Sequence, residues 1–225
     1  MTPNGIDWKR LEGIRGKRPE DAGHINVGAF LRVTPVKDVM TLLQAFCCAR
    51  AQMPELRLWI MGSRTEDPSY ARECEEAADA LGITDAVTFT GHIDTRDYLG
   101  RMDFTILTSI SEGQPLTILE SFAARKAVIA TDVGNCRDML YGNQDHFGPA
   151  GILLRMMHPV ETARAILTLA REEETRTRMG ENGCRRLRAF YTLERMKQAY
   201  RELYRRMESW RVSESTFSLS VRKES

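Results

Sequence analysis

Six short runs, dense in apolar and β-branched residues and separated by longer amphipathic stretches, constrain this chain more than any other feature. They lie at 25–31, 57–61, 86–90, 104–108, 127–131 and 151–154. Several are apolar almost throughout rather than alternating, as strands covered on both faces must be. Leu42, Leu43, Phe46 and Cys47 form one helical stripe between them, and Ala71, Cys74, Ala77, Ala78 and Leu81 form another. Strand, helix and strand in repeated succession give a parallel sheet with right-handed crossovers. The predicted fold is α/β, a Rossmann-like doubly wound parallel sheet of about six strands with extra C-terminal helices. Such sheets bind ligands beyond the carboxyl ends of their strands, so the loops there hold the functional candidates.

The chain has 225 residues, enough for one α/β core. A formal net charge of +1 gives no field that would select nucleic acid as partner. No apolar run approaches the roughly 20 residues needed to span a bilayer, and the N-terminus lacks a signal-peptide pattern. Five scattered cysteines (Cys47, Cys48, Cys74, Cys136 and Cys184) form no C-x-x-C pair, so buried or half-buried reduced thiols in a cytosol are expected. Residues 1–23 read as a hinge or linker, 24–211 as the domain, and 212–225, rich in serine, as a disordered tail. From His158 the pattern is helical almost to Arg211, with breaks expected near 172–174 and 180–183. The last helix carries Met196, Tyr200, Leu203, Tyr204, Met207 and Trp210 on one face and Arg195, Lys197, Arg201, Arg205 and Arg206 on another. The basic face reads as solvated arginines, with docking to a membrane surface as the alternative.

The strongest constellation is the stretch from Thr108 to Ala123, which follows the 104–108 strand and enters a helix near Leu116. Gly113 permits a tight turn and a close backbone approach to a ligand. Pro115 suits a helix start, and Gln114, Leu116 and Thr117 stand with it where free N–H groups and positive dipole would meet a diphosphate. Glu120, one turn further, could accept hydrogen bonds from two ribose hydroxyls, and Glu112 could face a sugar beyond the phosphates. Two solvated glutamates at a helix start are the plain alternative; the preceding strand, with Gly and Pro between, favours the site. Arg32 and Lys37 flank a proline turn after the first strand and could neutralise a diphosphate and the charge growing on a leaving group. Asp38 reads as a helix cap. Gly62 could let a pyrophosphate approach, and backbone at Ile93 could pair with a nucleobase; both are also ordinary turn positions, and His92 reads as a loop residue. The chain has no G-x-G-x-x-G after its first strand, no P-loop and no Asp-x-Asp, so no cofactor and no metal are expected.

Together these residues resemble glycosyltransferase family 4, of the retaining, two-domain GT-B type. The resemblance runs from Asn4 to about Trp210 and is carried by Arg32 to Asp38, Asp67 to Cys74, Leu107 to Leu116 and Ala130 to Asp138. More narrowly, the stretch is similar to the Pel exopolysaccharide type. The resemblance implies the C-terminal half of a GT-B fold, with the donor diphosphate held by Arg32 and Lys37 and the donor sugar contacted by Glu112. Glu120 would hold the ribose, and backbone from Gly113 to Thr117 would cradle phosphate and sugar. It also implies retention at the anomeric carbon, metal independence and UDP-glucose as donor.

Arg125 and Ala127 stand where the family has Gly and Pro in a turn, and Asn135 replaces a glycine before Asp138. The family's N-terminal, acceptor-binding domain would have to act in cis or in trans. The expectation is therefore a cytoplasmic donor-binding half of a hexosyltransferase, largely inactive alone, with possible self-association through its last helix. A place in a membrane-associated synthase complex, peripheral to the inner face of the membrane, belongs to the same expectation. A non-catalytic scaffold module and a sugar-nucleotide epimerase or hydrolase are the alternatives.

Overall fold

A computed structural model describes residues 4–14, 16–143 and 145–221, with the backbone alone from residue 208 onward. All six expected strands form: β1 Ile25–Phe30, β2 Leu56–Met61, β3 Val87–Gly91, β4 Phe104–Leu107, β5 Ala127–Thr131 and β6 Gly151–Leu154. Every pairing is parallel, in the order β3-β2-β1-β4-β5-β6. The helices are α1 Val39–Arg50, α2 Pro68–Ala80, α3 Thr95–Tyr98, α4 Leu116–Ala123, α5 Cys136–Tyr141, α6 Pro159–Arg171, α7 Glu173–Phe190 and α8 Leu193–Val221.

The two-residue period of the strands divides their side chains between two helical layers. Val27, Ala29, Leu58, Ile60, Phe104, Ile106 and Ile129 face α1, α2 and α6, where Leu42, Leu43 and Phe46 are fully buried. Leu107, Val128 and Ala130 face α4, α5 and α7. The helix starts follow from local chemistry. Asp38 accepts a bond from Thr41 N at 3.3 Å and so caps α1, while Asp67 accepts from Tyr70 N at 3.0 Å and caps α2 just before Pro68.

Three expectations need correction. Glu172 does separate α6 from α7, but α7 runs unbroken through 180–183. The glycines there serve packing: a Cβ on Gly180 would lie 2.1 Å from the Arg125 carbonyl oxygen, and one on Gly183 would lie 2.3 Å from the Phe122 ring. Gly180→Ala should therefore lower folding stability by about 1–3 kcal/mol in a urea titration. An ordinary helical glycine would instead gain about 1 kcal/mol. Secondly, the segment read as a hinge or linker packs on the domain at its described residues. Ile6 bridges Thr192, Leu11 is buried, and Asp21 is buried against Arg101 with Nη2–Oδ1 at 2.8 Å. Thirdly, Cys48 is exposed, whereas Cys74, Cys136 and Cys184 are buried.

The last helix continues to Val221, into the 212–225 stretch expected as a tail; it contains no Gly or Pro that would stop it. Residues 222–225 lie outside the described residues, as does the Trp210 side chain. Tyr200, Leu203, Tyr204 and Met207 are exposed along it. Among the described residues no helix is long and apolar enough to cross a membrane.

Candidate functional site

The strand order reverses between β1 and β4, and a doubly wound sheet opens its binding crevice at that point. The two loops read from sequence leave these two strands side by side. They are stitched together: Thr108 Oγ1 donates to the carbonyls of Lys37 at 3.0 Å and Asp38 at 3.1 Å, and Ile110 N donates to Val36 O at 2.9 Å. Asn135 N, after β5, donates to Gly113 O at 2.9 Å. From the N-terminal segment, Asn4 N donates to Gln114 Oε1 at 2.7 Å and Asn4 Nδ2 to Gln114 O at 3.2 Å. Three separate segments thus hold the loop that leads into α4.

A cleft of about 440 Å³ opens beside these loops, lined by Arg32, Lys37, Gly62, Ile93, Thr117 and Glu120 among others. Gly62 has φ +155°, and a Cβ there would lie 1.9 Å from the Leu31 carbonyl oxygen, so this corner admits glycine alone. Lys37 Nζ meets Glu112 Oε1 at 2.5 Å, with only 15% and 11% of their side chains exposed. Arg32 Nη1 meets Glu66 Oε2 at 2.7 Å in a far more exposed pair. Glu66 had no signal in the sequence beyond its position in a loop at the carboxyl edge of the sheet. His92 is an exposed loop residue on the rim.

The remaining expected residues sit beside the cleft. Gly113 lies at a bend without entering the left-handed region, and a Cβ on it would meet open space. Pro115 is buried at the cap position of α4, Leu116 is exposed, and Gln114 is turned towards Asn4. Among the described residues, buried side-chain atoms without a hydrogen-bond partner include Thr34 Oγ1, Asp38 Oδ2, Ser109 Oγ and Gln114 Nε2, all in these two loops. No three His, Cys, Asp or Glu side chains converge among the described residues as a metal would require.

Burial pushes the Glu120 carboxyl above its ordinary range. Its ionised form is therefore disfavoured in the folded state. That penalty is fully present above the raised folded pKa and vanishes below the unfolded value. Glu120→Gln should raise thermal stability at pH 7, and the gain should shrink to nothing as the pH falls below the usual glutamate range. A carboxylate kept at a stability cost is common at sites with another use for it.

Residues 24–172 match the family described as Glycosyl transferases group 1. The chain is 28% identical, over 79% of its length and 50% of the relative's, to the lipopolysaccharide core biosynthesis mannosyltransferase LpcC of Rhizobium leguminosarum bv. viciae. It spans about half the length of the curated relatives it matches. Among solved structures, the C-terminal domain of the group 1 family protein LpcC from Francisella tularensis superposes with a TM-score of 0.70 at 20% identity. That superposition covers 84% of this chain and 100% of that one. HepE of Anabaena, in complex with UDP-glucose, gives a TM-score of 0.75 at 20% identity over 89% of this chain and 56% of that one.

Proposed function

The chain belongs to the glycosyl transferases group 1 family, and from that premise we propose that its β1–β4 cleft binds the nucleoside diphosphate of an activated sugar donor. The observation that carries the reading is the convergence, at the reversal of strand order, of Lys37, Glu112 and Glu120 with the N-terminus of α4. Each element has a chemical task. Arg32 and Lys37 balance the diphosphate and the charge that grows on it as the bond to the anomeric carbon breaks. The first N–H groups of α4 add a fixed positive potential. Glu120, on the wall of the cleft, accepts the ribose hydroxyls, and backbone at Ile93 meets the base. Glu112, released from Lys37 as the diphosphate arrives, accepts a sugar hydroxyl.

Uridine as the base and glucose as the sugar are the finer part of the reading, supported by the sequence motif and by the UDP-glucose in the Anabaena protein. Retention at the anomeric carbon, metal independence, a cytoplasmic place and an exopolysaccharide product of the Pel type rest on the same motif. Transfer needs a second, acceptor-binding domain to orient the acceptor and exclude water, so the chain alone binds donor and transfers little. Calorimetric titration with UDP and GDP side by side tests the base: saturable binding of UDP with weaker GDP supports uridine, and the reverse order overturns it.

A further inference from the structure

Two cations face three carboxylates in and beside the cleft: Arg32 and Lys37 against Glu66, Glu112 and Glu120. That balance is one negative charge in excess, an adverse field for an anionic ligand. Glu120 and Glu112 have hydroxyl groups to serve, whereas Glu66 has no donor group assigned to it. Its carboxylate instead sits on Arg32 Nη1 at 2.7 Å, on a cation assigned to the diphosphate. Resting on that reading of the cleft, we propose that Glu66 is an internal competitor for the diphosphate at Arg32, a positioning residue that occupies the guanidinium until the donor arrives and reclaims it afterwards.

The backbone is held on both sides of Glu66. Glu66 lies between Gly62, wedged against the Leu31 carbonyl, and Asp67, fixed as the cap of α2 through Tyr70 N and Ser69 Oγ. Arg32 follows β1 and Glu66 lies in the loop after its paired neighbour β2, which brings the two side chains to one edge of the sheet. Both side chains are substantially exposed, at 57% and 44%, and an exposed pair parts readily because water replaces each partner. The mostly buried Lys37–Glu112 pair parts less readily, and only where the ligand gives both charges new partners. Two oxygens of a phosphate can meet the planar Arg32 guanidinium as those of a carboxylate can, with more charge.

The test is calorimetric titration of UDP and of inorganic pyrophosphate into the full chain, as wild type, Glu66→Gln, Arg32→Gln and the double variant, at low and high salt. Thermal melts check that each variant is folded. The amide keeps the shape of Glu66 and removes its charge, so affinity for both ligands should rise about two- to fivefold. That gain should disappear on the Arg32→Gln background and shrink as salt rises, which a merely structural role would not produce. Unchanged or weaker binding of both ligands by Glu66→Gln overturns the proposal, the weaker case making Glu66 a residue that holds Arg32 in place. Pyrophosphate tightened while UDP fails to bind keeps the competitor and removes the nucleotide reading. UDP bound equally by both forms removes the competitor and keeps that reading, and no binding of either ligand by any variant removes both.

Discussion

Arg186→Leu is expected to remove about 3–5 kcal/mol of folding stability, comparable with the whole margin of a small domain. Arg186 lies on α7 with only 1% of its side chain exposed. Its Nε and Nη2 grip the Asp145 carboxylate at 2.7 and 2.8 Å, and Nη1 donates to the carbonyls of Met139 at 3.2 Å and Leu140 at 2.8 Å. Nη2 also donates to Gly148 O at 2.8 Å. One guanidinium therefore ties together the end of α5 and the loop after it. Leucine would remove the donors to Met139 O and Gly148 O, leave Leu140 O with Ala150 N, and leave the buried Asp145 carboxylate without its cation. Its bond to Asp145 also holds that carboxyl below its ordinary range. The stabilisation is thus present above the usual aspartate pKa and is lost as pH falls through the lowered one. In urea titrations the variant should lose most at neutral pH and differ least from wild type in acid. Because α5 begins at the turn whose Asn135 holds Gly113, the same change should loosen the candidate site. A loss under 1 kcal/mol would mean that water or a shifted loop replaces these bonds.

Lys37→Met is expected to weaken UDP binding about ten- to hundredfold, the worth of one or two hydrogen bonds from a charged donor. The variant also leaves Glu112 without its partner in a mostly buried position, so lower stability could masquerade as lower affinity. Lys37→Met combined with Glu112→Gln separates the two. Removing both charges should restore much of the stability while UDP affinity stays low. Recovery of affinity along with stability would show that Lys37 matters to the fold and not to the ligand.

How much of this was legible in the sequence varied with the physics behind each feature. Strands buried on both faces carry continuous apolar runs, so all six could be read, and with them the loops that end at the binding edge. Arg32 and Lys37 could be placed at the cleft because their loop follows β1 directly, Glu120 because its helix opens on the loop after β4, and Asp38 because its cap chemistry is local. Features defined by distant partners were not. Gly180 and Gly183 read as a helix break until Arg125 and Phe122, far back in the chain, are seen against them. Glu66 is one more surface glutamate without its neighbour Arg32, 34 residues away. Nothing nearby in sequence announces that α5 ends upon Arg186. The narrower Pel-type resemblance is not carried by the comparisons, which match the chain to group 1 glycosyl transferases of several kinds.

Under the proposed function the cleft between the β1 and β4 loops is a nucleoside diphosphate site with Glu120 on its wall. Calorimetric titration of UDP into the full chain, beside Glu120→Ala, tests it most directly. The expected result is saturable 1:1 binding by the wild type, weakened at least tenfold in a variant that melts no lower than wild type. Equal binding by both forms would place the ligand elsewhere, and no binding by a folded wild type at millimolar UDP would contradict the account.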